Sequence, residues 1–196
     1  MKVALVKYNA GNIRSVLFAL ERLGIEAVVT DDAEEILSAD KVIFPGVGEA
    51  STAMNYLKQN RLDLLIPSLK QPVLGICLGM QLMCSFSEEN DTTCLGIFDD
   101  KVKHFPDNEN FKVPQMGWNN IFRLSGPLFN AIKENSFVYF VHSYYVPLSS
   151  NTAAVANYIF DFSAALQKNN FFAVQFHPEK SGEIGQKMLE NFLNIC

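Results

Sequence analysis

The sequence predicts an α/β protein with a mainly parallel central sheet, helices on both of its faces, and an added antiparallel β region. Three observations lead there. Short apolar, β-branched runs alternate with helical patterns over residues 2–86, as parallel strands joined by crossover helices require. Residues 97–162 change to short β-like runs broken by Gly, Pro and Asn, which suits antiparallel pairing. An apolar run at 171–176 and one more helical pattern close the chain.

Residues 2–7 are apolar and read as the first strand, and Tyr8-Asn9-Ala10-Gly11-Asn12 reads as a turn. Ile13, Val16, Leu17, Leu20 and Leu23 then recur at helical spacing, with Gly24 as the stop. Residues 25–29 read as a strand, 33–37 as a short helix and 41–44 as a third strand ending in Pro45-Gly46-Val47-Gly48. Ala50, Ala53, Met54 and Leu57 mark the next helix. Residues 73–76 form the fourth strand, and a helix follows to about Phe86. The β-like runs at 111–123, 136–147 and 153–160 read as strands or hairpins added to the sheet or laid over its edge. After the run at 171–176, a helix follows Ser181 with Ile184, Met188, Phe192 and Ile195 on one face.

Composition narrows the class. The 196 residues suit a single domain spanning 1–196, and 48% hydrophobic content supports a substantial core. A net charge of −5 argues against nonspecific nucleic-acid binding. No apolar run approaches the ~20 residues of a membrane helix, and Met1 to Val6 is too short for a signal peptide. Cys77, Cys84, Cys94 and Cys196 lack metal-like CxxC spacing. The chain reads as a reducing, cytoplasmic protein.

The chemistry centres on Pro72-Val73-Leu74-Gly75-Ile76-Cys77-Leu78-Gly79-Met80-Gln81. An apolar strand ends in a cysteine between two glycines, and a helix begins at once. This is the thiol version of a nucleophile elbow. Gly75 and Gly79 allow strand and helix to pass closely, and the first amides of the helix favour a thiolate. A small buried structural cysteine is the plainer reading.

A cysteine nucleophile needs a base. His177 follows the apolar run 171–176 and precedes Pro178-Glu179-Lys180. In extended chain, i and i+2 share a side, so Glu179 can hold the His177 ring while Pro178 keeps the segment extended. Together Cys77, His177 and Glu179 make a nucleophile–base–orienter set. His104, among Lys101, Lys103 and Asp107, reads as a solvated loop residue. His142 ends another apolar run but has no acidic neighbour. The Pro45-Gly46-Val47-Gly48 loop precedes the elbow by one βα unit. Its Val47 amide and the Leu78 amide are the natural pair for an oxyanion hole, although an ordinary βα turn has the same glycines.

The Cys77 elbow, the 45–48 loop and His177-Pro178-Glu179-Lys180-Ser181 resemble the class I (triad) glutamine amidotransferases. Gln115-Met116-Gly117-Trp118-Asn119, Tyr139-Phe140-Val141-His142-Ser143-Tyr144 and Ala10-Gly11-Asn12 narrow the resemblance to the glutaminase subunits of imidazole glycerol phosphate synthases, over essentially the whole chain. The resemblance implies that Cys77 attacks the glutamine side-chain amide, that His177 passes a proton to departing ammonia, and that Glu179 orients it. It implies Val47 and Leu78 as oxyanion donors, with the Val47 peptide turning to complete the hole. Gly48, Gln81, Ser143 and Tyr144 would meet the polar head of glutamine. No metal or cofactor is required.

The resemblance also implies a separate HisF-type (β/α)₈ cyclase partner in a heterodimer. That partner would receive ammonia and convert the ribulosyl-formimino nucleotide PRFAR to imidazole glycerol phosphate and AICAR. The length leaves no room for a synthase domain, in keeping with acceptor chemistry on another chain. Asn12, Trp118, Tyr139 and Lys180 are the implied docking residues. Two positions depart from the family pattern: Gln115 replaces a usual histidine and Asn9 a usual glycine. They leave open a paralogue supplying ammonia to another acceptor, such as a surface-sugar precursor. The same residues also admit a stand-alone cysteine hydrolase, or a non-catalytic regulatory protein that keeps the fold.

Overall fold

The computed structural model describes residues 1–8 and 12–195; Asn9, Ala10 and Gly11 of the expected turn, and Cys196, lie outside the described residues. The first half alternates as β1 (Val3–Val6), α1 (Ile13–Arg22), β2 (Ala27–Thr30), α2 (Ala33–Leu37), β3 (Lys41–Phe44), α3 (Ala50–Gln59), α4 (Leu62–Ser68), β4 (Val73–Ile76) and α5 (Leu78–Met83). The second half holds β5 (Phe86–Ser87), β6 (Thr92–Thr93), β7 (Lys101–His104), β8 (Gln115–Ile121), β9 (Ser136–His142) and β10 (Tyr144–Tyr145). It ends with β11 (Thr152–Asn157), β12 (Asp161–Lys168), β13 (Phe171–Val174) and α6 (Gly182–Asn194).

Seven strands form the central sheet in the order β11-β12-β13-β4-β3-β1-β2. The five from β13 to β2 run parallel, and β12 and β11 extend the sheet antiparallel. Strand alternation divides the core in two. Val3, Leu5, Ile43, Leu74, Ile76, Phe172 and Val174 face α1, α6 and the β8–β9 pair. Ala4, Val6, Val42, Phe44, Val73, Phe171 and Ala173 face α2 to α5. Register places the site: Phe44 pairs with Gly75 and Val174 with Ile76. The Pro45 loop, Cys77 and the segment from Gln175 to His177 therefore leave the sheet at one end, the carboxyl end where open α/β sheets bind ligands. Among the described residues no helix is long and apolar enough to cross a membrane.

Several elements differ from the sequence expectation. The helix after Cys77 ends at Met83, not near Phe86. The incoming segment 95–98 donates backbone hydrogen bonds to the Leu82, Met83 and Cys84 carbonyls at 2.8–3.0 Å and ends the helix there. Helix α4 was not expected; only Leu62 and Ile66 are buried on it, and Pro67 lies inside it. Strand β12 was also missed. His104 is not in a loop but ends β7, opposite Tyr144. The added β region is three separate features: the antiparallel β11–β12 edge, a small mixed sheet β10-β7-β5-β6 in which β5 and β7 run parallel, and the antiparallel β8–β9 pair.

Candidate active site

Cys77 is the apex of a strained turn between β4 and α5, with φ 53° and ψ −108°. A non-glycine residue held there costs on the order of 1–3 kcal/mol. Backbone bonds fix it: the Cys77 amide donates to Val174 O at 2.8 Å, and Gln81 N donates to Cys77 O at 3.2 Å. The flanking glycines are needed for space. A Cβ on Gly79 would overlap the Phe44 carbonyl oxygen, and one on Gly75 would stand 2.9 Å from Met83 Sδ.

His177 leaves β13 with its amide bonded to Tyr139 O at 2.9 Å. The segment beyond it is not extended as expected. Pro178–Lys180 is a single 3₁₀ turn, because proline's fixed φ suits a first helical position. Ser181 locks this turn, donating to His177 O at 2.6 Å and accepting from Tyr139 N at 3.0 Å. The turn still brings Glu179 Oε1 to 2.7 Å from His177 Nδ1. Asn12 Nδ2 donates to the same oxygen at 2.5 Å. Both members of the pair are buried. Burial opposes charge on the His177 ring, but Cys77 and Glu179 outweigh it and raise its pKa from 6.5 to about 10. Both neighbours favour the protonated ring. Its Nε2 is buried and has no aligned hydrogen-bond partner.

Cys77 opens into a cavity of about 230 Å³ lined by Val47, Gly48, Leu78, Gln81, Glu89, His142, Ser143 and Tyr144 among others. Every residue expected to bind substrate lies here with the sulfur, while His177 and Glu179 lie buried behind it. His142 donates from Nδ1 to Tyr144 O at 2.6 Å, and the Gln115 side-chain amide stands 3.0 Å from its Nε2. Burial pushes the His142 pKa down to about 4, so this ring is neutral and holds the cavity wall. On the loop side, Tyr8 OH donates to Pro45 O. The Leu78 amide donates to Gly46 O at 3.3 Å, so one expected oxyanion donor is engaged by the neighbouring loop.

The family model for glutamine amidotransferase class-I matches residues 5–196. The chain is 63% identical to the imidazole glycerol phosphate synthase subunit HisH of Bacteroides fragilis, over 100% of both chains. It is 46% identical to the HisH subunit of Haemophilus influenzae, over 98% of this chain and 97% of that one. The chain belongs to the class I glutamine amidotransferases, in their HisH family. Solved structures agree on the fold. A glutamine amidotransferase crystal structure superposes with a TM-score of 0.74 at 18% identity, covering 97% of this chain and 96% of that one. PurLQS from Thermotoga maritima gives 0.72 at 20% identity, covering 98% and 97%.

Sequence reasoning missed one candidate in this amidotransferase cavity. Glu89 sits in a 3₁₀ turn and lines the cavity, while its Oε2 accepts from Ala50 N at 2.7 Å. Burial raises its pKa, as does the Glu49 charge. In sequence it belongs to Glu88-Glu89-Asn90-Asp91, which reads as a solvated polar run. Nothing local marks it, because the contact with α3 is tertiary.

The expected docking residues gather beside the buried pair. Trp118 is 57% exposed and meets Tyr139 edge-on at 6.1 Å, and Lys180 Nζ lies 5.9 Å from the Tyr139 ring centre. Met116 and Phe137 extend this apolar face at 66% and 58% exposure. Asn12 differs from the other three, since its side chain turns inward to Glu179.

Proposed function

We propose that this chain is a glutaminase subunit that releases ammonia from glutamine through a thioester on Cys77 and passes it to a HisF-type (β/α)₈ cyclase in a cytoplasmic heterodimer. That cyclase would turn PRFAR into imidazole glycerol phosphate and AICAR in histidine biosynthesis. The observation that carries the reading is the strained Cys77 opening into a small cavity, with the buried His177–Glu179 pair beside it. The family names support the pathway. The free thiols of Cys77, Cys84 and Cys94 suit a reducing compartment.

The residues divide the work as follows. The Cys77 thiolate attacks the side-chain carbonyl carbon of glutamine. His177 gives its Nε2 proton to the departing nitrogen, and ammonia leaves as the thioester forms. The now neutral ring takes a proton from water, which attacks the thioester and releases glutamate. Glu179 holds the ring through Nδ1 at both stages. Gln81, Gly48, Ser143 and Tyr144 hold the amino-acid head, and the Glu89 carboxylate is placed for its α-ammonium.

The loop supplies a control point. The Gly46 carbonyl and the Val47 N–H belong to one peptide unit. Turning that unit withdraws the oxygen from Leu78 N and can bring a second donor toward the developing oxyanion. Such a pair is worth about 3 kcal/mol per donor. The exposed Trp118, Tyr139 and Lys180 face adjoins the site and suits a partner that keeps ammonia from bulk water.

The test is glutamine turnover by the chain alone, with a HisF-type cyclase, and with cyclase plus PRFAR. Activity should be low alone and rise with each addition, and Cys77→Ala should abolish it. Equal turnover in all three states would favour a stand-alone hydrolase. Activation by the cyclase without conversion of PRFAR would point to another acceptor.

A further inference from the structure

Gln175 is fully buried, yet neither the mechanism above nor the core requires an amide there. It follows β13, and strand parity puts its side chain on the same face as Ala173, toward α5. Its Nε2 donates to Cys77 Sγ at 3.6 Å, and its Oε1 accepts from Gln81 Nε2 at 3.0 Å. Gln81 Nε2 also donates to the Tyr144 carbonyl at 3.3 Å. A backbone carbonyl can only accept, so the Gln81 amide nitrogen must face Tyr144. Its remaining N–H then requires an acceptor, which turns the Gln175 oxygen toward Gln81 and the Gln175 nitrogen toward the sulfur. The direction of the whole relay is thus set by one main-chain oxygen, and the sulfur receives an N–H.

We propose that Gln175 is a positioning residue that stabilises the Cys77 thiolate with its amide N–H and links that sulfur to the substrate-binding Gln81. A donor aimed at sulfur favours the anion over the thiol, and in a water-poor site it is stronger than in bulk. Head-group binding at Gln81 and nucleophile placement at Cys77 are mechanically joined through one buried side chain. A glutamine whose head engages Gln81 is therefore met by a sulfur already held in line. The inference deepens the glutaminase reading and rests on it.

The test uses the full chain and reads iodoacetamide labelling of Cys77 by peptide mass spectrometry, from about pH 6 to 10. Gln175→Leu should slow labelling near pH 7 about tenfold, the size expected for one charge-assisted hydrogen bond, and the rate should recover toward pH 10. Gln175→Glu, nearly isosteric, should slow it further because a carboxylate then faces the sulfur. Profiles matching wild type in either folded variant overturn the proposal. A second measurement leaves Gln175 in place: its side-chain amide proton resonance should lie downfield in the wild type and shift upfield in Cys77→Ala, where the acceptor is gone. A resonance unchanged by Cys77→Ala also overturns it. Trapping of wild-type Cys77 by a glutamine-analogue electrophile is scored separately. Failure there removes the glutaminase reading, whereas normal trapping with unaltered labelling profiles removes only the role of Gln175.

Discussion

Asn12 and His177 donate to one oxygen, Glu179 Oε1, at 2.5 and 2.7 Å. The residue at the start of α1 is thereby wired to the residue that orients the candidate base. Removing a hydrogen bond to a charged group costs about 1.5–3 kcal/mol. Asn12→Ala should lower kcat for glutamine in the complex by roughly tenfold or more, with KM within about twofold. Asn12→Asp should do worse, since two carboxylates would then meet. Steady-state kinetics decide it; an unchanged kcat in Asn12→Ala would leave Asn12 as a docking residue alone.

The charge on His177 gives a pH signature. Its folded pKa is raised from 6.5 to about 10, with burial opposing and Cys77 and Glu179 prevailing. A group raised on folding contributes stability that is complete below its unfolded pKa and is lost as pH climbs through the folded one. The urea-melt stability gap between wild type and His177→Gln should be widest near about pH 6 and shrink toward about pH 10. A gap constant over that range would mean a neutral ring in the resting protein.

How much of this site was legible follows from where each residue sits. Cys77, Gly75 and Gly79 announce themselves because strand, turn and helix are local. His177 and Glu179 are two positions apart, so their contact was readable, although Pro178 makes it through a 3₁₀ turn. The parallel half of the sheet was legible for the same reason, since each β-α unit carries its own periodicity. Glu89, Gln175 and the Leu78–Gly46 bond were not legible. Each depends on strands and loops meeting after the sheet assembles. The early end of α5 belongs with them, because its carbonyls are capped by residues 95–98. Asn12 was read as a docking residue, and only coordinates show it turned toward Glu179.

Gly79→Ala tests the close approach at the elbow. The added Cβ would overlap the Phe44 backbone oxygen, and main chain on β3 cannot step aside cheaply. The cost should reach about 3 kcal/mol, at the upper end of overpacking penalties. For a domain of this size that is a fall in Tm of roughly 6–12 °C. Scanning calorimetry checks it, and a wild-type Tm would mean the elbow relaxes more than its packing suggests.

Tyr8→Phe should loosen the loop. Its hydroxyl is bonded to the Pro45 carbonyl, next to the Gly46 oxygen that occupies the Leu78 amide. Losing one hydrogen bond of about 1 kcal/mol should raise glutamine turnover by the isolated chain about fivefold and leave the fully activated rate nearly unchanged. A drop in both rates would show that the tether supports the productive loop instead.

Glu89→Gln separates binding from chemistry. Glu89 lines the cavity that holds Cys77, and the amide that replaces its carboxylate keeps an oxygen for the Ala50 N–H. Only the charge facing the substrate is lost. An interaction with the α-ammonium is present equally in ground and transition states, so it acts on KM rather than kcat. KM for glutamine should rise about tenfold, the loss of one charge-assisted hydrogen bond, with kcat within about twofold. The same variant should discriminate poorly between glutamine and an analogue lacking the α-amino group. If KM holds and kcat falls instead, Glu89 acts by placing α3 and the Val47 loop rather than by meeting the substrate.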